Sequence, residues 1–278
     1  MTYSIVGYDP EEKEWGIAVQ SKFLGVGSVV PFAKAGVGAV ATQSYANTSY
    51  GPHALQLMKE GKTAEEALEI ITRDDPERPL RQVGLIDAGG NPATFIGEGC
   101  YDWAGGQTGK HFAAQGNILV DQNTVKAMAD TFESTAGSLA ERLLQALEAG
   151  QEAGGDSRGM QSAALLVVKE NGGYGGFNDR YIDLRVDDHA SPIKELKRIY
   201  QLHQLYFKES DAGRVVLLEG DIHGEVEGEL TRLGYAKDKQ SLYQNLKDYL
   251  HTENFEMREQ EENYIDLDVL DYMKKQDR

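Results

Sequence analysis

Strand-like and helix-like segments follow one another along this chain in blocks, and that order limits the folds open to it. Residues 2–8 (Thr-Tyr-Ser-Ile-Val-Gly-Tyr) read as a strand, leading through an Asp-Pro turn at 9–14 into a second strand at 15–23. A Gly-rich apolar stretch over 26–42 reads as a third strand, covered on both faces. Pro52 and Gly61 frame one helix, and Thr63-Ala64-Glu65-Glu66 is a capping box that opens the next, up to Thr72. Strands return at 82–87, 92–97 and 112–119, helices at about 123–133 and 139–149, and strands again at 163–168 and 180–186. This is neither a βαβ alternation nor an all-β pattern. An α+β fold satisfies it, with two antiparallel sheets packed together and a helix layer outside each: a four-layer α-β-β-α sandwich.

The last quarter differs in charge. From residue 201 onward there are 18 acidic and 10 basic residues, a net of −8 within a chain total of −17. Three short helices are expected there, at 228–235, 241–251 and 265–275. A boundary near 208–214 gives a domain over 1–208 and a small helical module over 209–278.

A charge of −17 repels phosphate backbones and anionic lipid heads, which argues against nucleic acid and membrane surfaces as partners. With no charged leader ahead of an apolar run and no span-length apolar segment, a cytoplasmic location is expected. The single cysteine, Cys100, has no partner for an internal disulfide and reads as a small, partly buried residue. The six histidines are scattered without ligand spacing, so no metal site is expected. The glycine clusters at 25–27 and 172–176 lack the strand–helix context of a phosphate loop, so no cofactor is expected. Asp183, Arg185 and Asp187 alternate along one strand face and read as an ion-pair row.

Thr2 carries the chemistry. A small second residue normally allows Met1 to be trimmed, which would leave Thr2 with a free α-amine beside its hydroxyl. An α-amine titrates at about 7.7–8.0, so near neutral pH a useful fraction can accept the hydroxyl proton. A threonine activated by its own amine is a recognised nucleophile–base pair. Taken alone, Thr2 equally well begins a strand.

Further blocks stand in order: Gly16–Phe23, Ala35–Gln43, Ser49-Tyr50-Gly51-Pro52, Phe112–Leu119, Gln161–Leu165 and Asp179–His189. Together with Thr2–Val6 they resemble the family called domain of unknown function 1028, over roughly residues 2–205. That family is grouped with the N-terminal-nucleophile (Ntn) hydrolases, and the resemblance implies their four-layer sandwich and an amide-bond hydrolase with Thr2 as nucleophile. The implied partner is a small-molecule or peptide-like amide substrate.

Proteasome-type members of that superfamily have a lysine at a separation comparable to that of Lys34, whose ammonium would lower the pKa of the site. Where those members carry a strand-two aspartate, this chain has Gln20-Ser21, a departure from their triad. Gln43, Ser44 and Asn47 fall where the superfamily binds substrate or oxyanion, though they equally suit turn-forming roles. Gln115 and Asn117 interrupt an apolar strand with two amides, which either line the cleft or bond neighbouring backbone. The tail, at 230–235 and 253–268, resembles the peptidoglycan-binding module attached to some members; homo-oligomer formation is the other role considered for it. The alternative to catalysis is a silent scaffold that binds a ligand or partner.

Overall fold

Alternation decides the first hairpin. The computed structural model describes residues 2–277, and in it β1 (Thr2–Asp9) and β2 (Glu14–Ser21) pair antiparallel around the Asp-Pro turn. Thr2 stands opposite Ser21, Ser4 opposite Val19, and Val6 opposite Ile17. The period of two sends these residues to one face of the sheet and Tyr3, Ile5 and Gly7 to the other.

The stretch expected as a single third strand is instead a hairpin. β3 (Pro31–Lys34) turns at residues 35–37 into β4 (Gly38–Ser44). Gly36, at φ +70°, and Gly38, at φ +149°, supply the backbone that the turn requires. Helices α1 (Tyr50–Lys59) and α2 (Ala64–Arg73) follow. The capping box of α2 forms, with Glu66 N donating to Thr63 Oγ1 at 3.2 Å and Thr63 N to Glu66 Oε2 at 3.0 Å. β5 (Arg81–Asp87) and β6 (Pro92–Ile96) complete a four-stranded sheet ordered β3-β4-β5-β6.

β7 (Gly105–Gly109) and β8 (Phe112–Asn117) form a further hairpin. β7 has no apolar pattern to announce it: its sequence is Gly-Gly-Gln-Thr-Gly, and its middle is exposed. Helices α3 (Asn123–Ser134) and α4 (Leu139–Glu152) then lead to β9 (Ser162–Val168) and β10 (Arg180–Val186). The six-stranded sheet has the order β10-β9-β2-β1-β8-β7, so the first strand lies inside it.

Each sheet packs against helices. Gly7 lies against Phe132 of α3 and Leu139 of α4, and Gly16 against Leu143. On the smaller sheet, Val40, Val83 and Leu85 bury themselves among Tyr50, Ala54, Met58 and Ile71 of α1 and α2. The other faces of the two sheets meet in a core that includes Val6, Ile17, Val19, Ala39, Ala41, Ile86 and Ala113. The first unit is thus a mixed α/β structure built on antiparallel sheets. The expected ion pair is present on β10, with Arg185 Nε 2.9 Å from Asp183 Oδ1.

Contacts divide the chain into two compact units after Lys197, within α5 (Pro192–Phe207). The second unit contains β11 (Val215–Leu217), α6 (Gly220–Leu233), α7 (Leu242–Thr252), β12 (Tyr264–Asp266) and α8 (Leu267–Met273). It has its own core of Val226, Leu230, Leu246, Tyr249, Phe255, Val269 and Met273. A buried ion pair, Arg258 Nη1 to Asp266 Oδ2 at 2.8 Å, ties the segment after α7 to β12. Arg258 also donates to the carbonyls of Gln204 and Leu205, so its charge is fully engaged. No helix among the described residues is long and apolar enough to cross a membrane.

Candidate functional site

Thr2 begins a strand with neighbours on both sides, so β2 and β8 position it from either hand. Thr2 Oγ1 donates to Ser21 Oγ at 3.1 Å. The Thr2 carbonyl accepts from Gln43 Nε2 at 3.2 Å and from Asn117 Nδ2 at 3.3 Å. Both amides also donate to Gln82 Oε1, at 2.8 and 2.7 Å, and Gln82 Nε2 donates to the Gly116 carbonyl at 2.7 Å.

Two residues along β1 the pattern continues. Ser4 Oγ donates to Gln43 Oε1 at 2.6 Å and accepts from Gln115 Nε2 at 2.7 Å. Gly84 makes room for this contact: a Cβ there would come within 2.1 Å of Gln115 Oε1. The result is a polar layer between the sheets. Thr2 is 4% exposed, and Ser4, Gln43, Gln82, Gln115 and Asn117 are at most 1% exposed. An amide at such depth is costly unless its donors and acceptors are engaged, and the hydrogen bonds of this layer engage them.

That engagement limits what the amides can do. The two N–H groups of Asn117 point at Thr2 O and Gln82 Oε1, and those of Gln43 are shared among Thr2 O, Gln82 Oε1 and, at 3.4 Å, Gln115 O. Neither has a spare hydrogen for a substrate oxygen. They hold the Thr2 backbone in place.

The two strands that supply these amides turn sharply just past them. Ser44, next to Gln43, has φ +69°, and Ile118, next to Asn117, has φ +50°. A left-handed conformation is uncommon for serine and strained for a β-branched residue, by about 1–3 kcal/mol. Beyond Ser44 the chain is tied down by charge. Arg81 Nε donates to Asp75 Oδ2 at 2.9 Å, and its Nη1 donates to the Tyr45 carbonyl at 2.6 Å. Tyr50 donates to the same carboxylate at 2.6 Å. The Arg81 hydrogen bond holds the Asp75 carboxyl well below the usual carboxylate range, against the opposing effect of burial. Burial and then the Asp75 hydrogen bond push the Tyr50 hydroxyl up.

Beyond Ser21 the chain is fixed in a similar way. The buried Asp156 carboxylate accepts from Lys22 N at 3.1 Å and pairs with Arg158 Nη2 at 2.8 Å. Arg158 Nη1 in turn donates to the Lys22 carbonyl at 3.1 Å.

Of the residues singled out in the sequence, Thr2, Ser21, Gln43, Gln115 and Asn117 come together. Three do not join them, and Ser44 contributes a turn. Gln20 faces the helix layer beside Tyr3, its cross-strand partner, and its buried Oε1 and Nε2 have no hydrogen-bond partner. The one-residue step between Gln20 and Ser21 puts them on opposite faces. Asn47 is a turn-former, its Oδ1 accepting from Ser49 N at 3.1 Å and Ser49 Oγ at 2.7 Å at the entry to α1.

Lys34 is exposed and stands opposite Gly38, at the far end of β4 from Gln43. Five residues of strand separate those ends, about 16 Å. The expectation of a nearby ammonium rests on the separation of Lys34 from Thr2, comparable to that in proteasome-type members. The hairpin at 35–37 puts Lys34 at the turn instead. Met1, whose removal the chemistry of Thr2 requires, lies outside the described residues.

Ser4, Gln82, Asp156 and Arg158 were not singled out from the sequence. Gln82 opens an apolar strand, as Gln115 interrupts one, and Ser4 repeats Thr2 at the two-residue spacing of a strand face; those were the available signals. Among the described residues no group of three or more His, Cys, Asp or Glu is arranged to hold a metal ion. A cleft of about 700 Å³ lies elsewhere, between α2 and β6, lined by Glu65, Glu69, Arg78, Ala93 and Phe95; Thr2 is not part of it.

The fold and site define a mixed α/β protein with a threonine-headed strand held by buried amides. The model described as "Family of unknown function (DUF1028)" matches residues 2–196, and the chain belongs to that family. The model described as "Putative peptidoglycan binding domain" matches residues 206–273. The crystal structure of protein SPO2555 from Silicibacter pomeroyi, assigned to the same family model, is similar at 31% identity and a TM-score of 0.67, over 80% of this chain and 88% of that one. Two structures of Anbu from Hyphomicrobium sp. strain MC1, one of them a mutant, match at 12% and 11% identity with TM-scores of 0.36 and 0.32, over 76% of this chain and 99% of each of those. No curated protein matches the chain.

Proposed function

We propose that the first unit is an N-terminal-nucleophile amidohydrolase with the four-layer α-β-β-α sandwich of that class, and that Thr2 is its nucleophile after removal of Met1. The observation that carries this reading is the placement of Thr2. It heads an internal strand, its hydroxyl meets Ser21 Oγ at 3.1 Å, and two amides hold its carbonyl. A nucleophile must be held in one orientation for its attack to be efficient, and this clamp supplies that.

In the reaction, Thr2 Oγ bonds to the amide carbonyl carbon while its proton passes to the free α-amine. Collapse of the tetrahedral intermediate breaks the C–N bond, and the leaving amine takes that proton. Water then hydrolyses the ester on Thr2, with the α-amine as base, releasing a carboxylic acid. Ser21 accepts from the Thr2 hydroxyl and sets its rotamer. Lys34 has no part in this scheme.

The test is amine release from a panel of N-acyl amino acids and short peptides. The wild-type protein cleaves at least one of them, and Thr2→Ala lowers that rate by about 10³-fold or more. Cleavage that survives Thr2→Ala contradicts the proposal.

A second reading is favoured by one observation: the hydrogen bonds at Thr2 come from neutral groups, Ser21, Gln43 and Asn117. On that reading the unit is a catalytically silent ligand-binding or interaction scaffold. A protein that binds an amide without ever releasing amine would establish it.

A further inference from the structure

The first unit leaves seven large apolar side chains exposed: Phe23, Leu24, Tyr45, Tyr101, Val120, Tyr174 and Phe177. The last two share one hairpin loop between β9 and β10, next to the Asp9–Glu14 end of the first hairpin. The other five come from four separate segments and arrive at the Thr2 end. Phe23 and Leu24 follow Ser21, which bonds the Thr2 hydroxyl. Tyr45 follows the turn at Ser44, beside the Gln43 clamp. Tyr101 accepts through its carbonyl from Ile118 N at 3.0 Å, and Val120 lies two residues further on, past the Asn117 clamp. Their exposures run from 49% for Phe23 to 64% for Leu24.

Convergence of this kind is not a by-product of a short supply of polar residues, since 26% of the chain is charged. Segment 43–50, which carries Tyr45, has no charged residue at all. The backbone is left-handed at Ser44 and Ile118, just past the clamps; Asp75–Arg81 fixes the segment at Tyr45, Asp156–Arg158 fixes Lys22 beside Phe23, and Val120 N donates to the Gly155 carbonyl. Strain maintained on both sides of one residue, with apolar side chains displayed beyond it, fits a rim built for a ligand.

We propose that these five side chains form an apolar rim that seats the hydrocarbon part of an amphiphilic amide, its scissile bond lying over Thr2. This deepens the reading of Thr2 as the nucleophile and rests on it. Phe23, Leu24 and Val120 offer area and no hydrogen bonds, which suits an alkyl or aromatic acyl chain rather than a sugar. Each methylene that leaves water tightens binding by about fourfold. An octanoyl chain, six methylenes longer than acetyl, therefore gains about 60-fold even if only half of the added methylenes are seated.

The test is titration calorimetry on the full chain carrying Thr2→Ala, with N-octanoylglycine and N-acetylglycine as probes. The octanoyl compound binds at least about 60-fold more tightly. The double substitution Phe23→Ser, Leu24→Ser, and separately Tyr45→Ser, each remove tenfold or more of that preference without changing the melting temperature. Equal affinity for both probes, no binding of the octanoyl compound at about 1 mM, or a preference that survives the rim substitutions overturns the proposal. So does concentration-dependent self-association abolished by the same substitutions, which would make the rim a contact between copies. Failure of the nucleophile reading looks different: the octanoyl preference is present and rim-dependent, yet wild-type protein never releases glycine from that compound.

Discussion

The layer between the two sheets has two halves, equally buried and opposite in chemistry. Toward the Asp9–Glu14 turn it is filled by Val6, Ile17, Val19, Ala39, Ala41 and Ile86. Toward Thr2 it is filled by Ser4, Gln43, Gln82, Gln115 and Asn117. Hydrocarbon alone can join two sheets, and tolerates substitution provided volume is kept. A layer of amides is stable only if each donor finds its acceptor, so it fixes one register and makes every member depend on the others. The half that demands this precision is the half that ends at Thr2. Stability would have been served as well by extending the apolar half, so the cost points to positioning.

Substitutions in the two halves should differ accordingly. Gln82→Leu removes the acceptor of both clamping amides and the donor to Gly116, stranding buried partners; it should cost about 4 kcal/mol and weaken any Thr2-dependent activity as well. Urea denaturation checks the first effect and amine release the second. If Gln82→Leu is as mild as a core substitution, the two halves do not differ as described.

Asp75→Asn should cost about 2 kcal/mol, since it removes the carboxylate shared by Arg81 Nε and Tyr50 and leaves Arg81 only its pair with Glu77. The pH dependence sharpens this. The Asp75 carboxyl is held below its unfolded pKa, so its contribution is fully present above about pH 4 and is lost as pH falls through the lower folded value. Wild-type melting temperature should therefore drop between about pH 4 and pH 2, with a shallower slope in Asp75→Asn. Parallel slopes would remove Asp75 from the account.

In the apolar half, Ile17→Val should cost only about 1 kcal/mol and leave activity unchanged. Gln20→Met removes an unpaired buried amide on the helix side and should raise stability by about 1 kcal/mol, read from the same denaturation curves. The smallest effect is expected for Lys34→Ala, within about 0.5 kcal/mol and without loss of activity, because Lys34 sits at the far turn. A large loss of activity in Lys34→Ala would restore the expectation drawn from its separation from Thr2.

The parts of this architecture that were legible in the sequence are those written in local chemistry. The Asp-Pro turn marks the first hairpin, and Thr63 with Glu66 marks the start of α2. Gln115 and Asn117 stood out because amides are costly within an apolar strand. The 26–42 stretch misled because continuous apolar residues describe a buried strand and a buried hairpin equally well, and only the positive φ of Gly36 and Gly38 separates them. Gln82 escaped notice because its partners, Gln43 and Asn117, are 39 and 35 residues away along the chain. No local pattern reports such a meeting.

The most direct measurement is the intact mass of the purified, active protein together with its N-terminal sequence. A chain that begins at Thr2, with its α-amine free, is the predicted result. A protein that cleaves amides while Met1 remains attached would contradict the central claim, since the amine could then serve neither as base nor as proton donor.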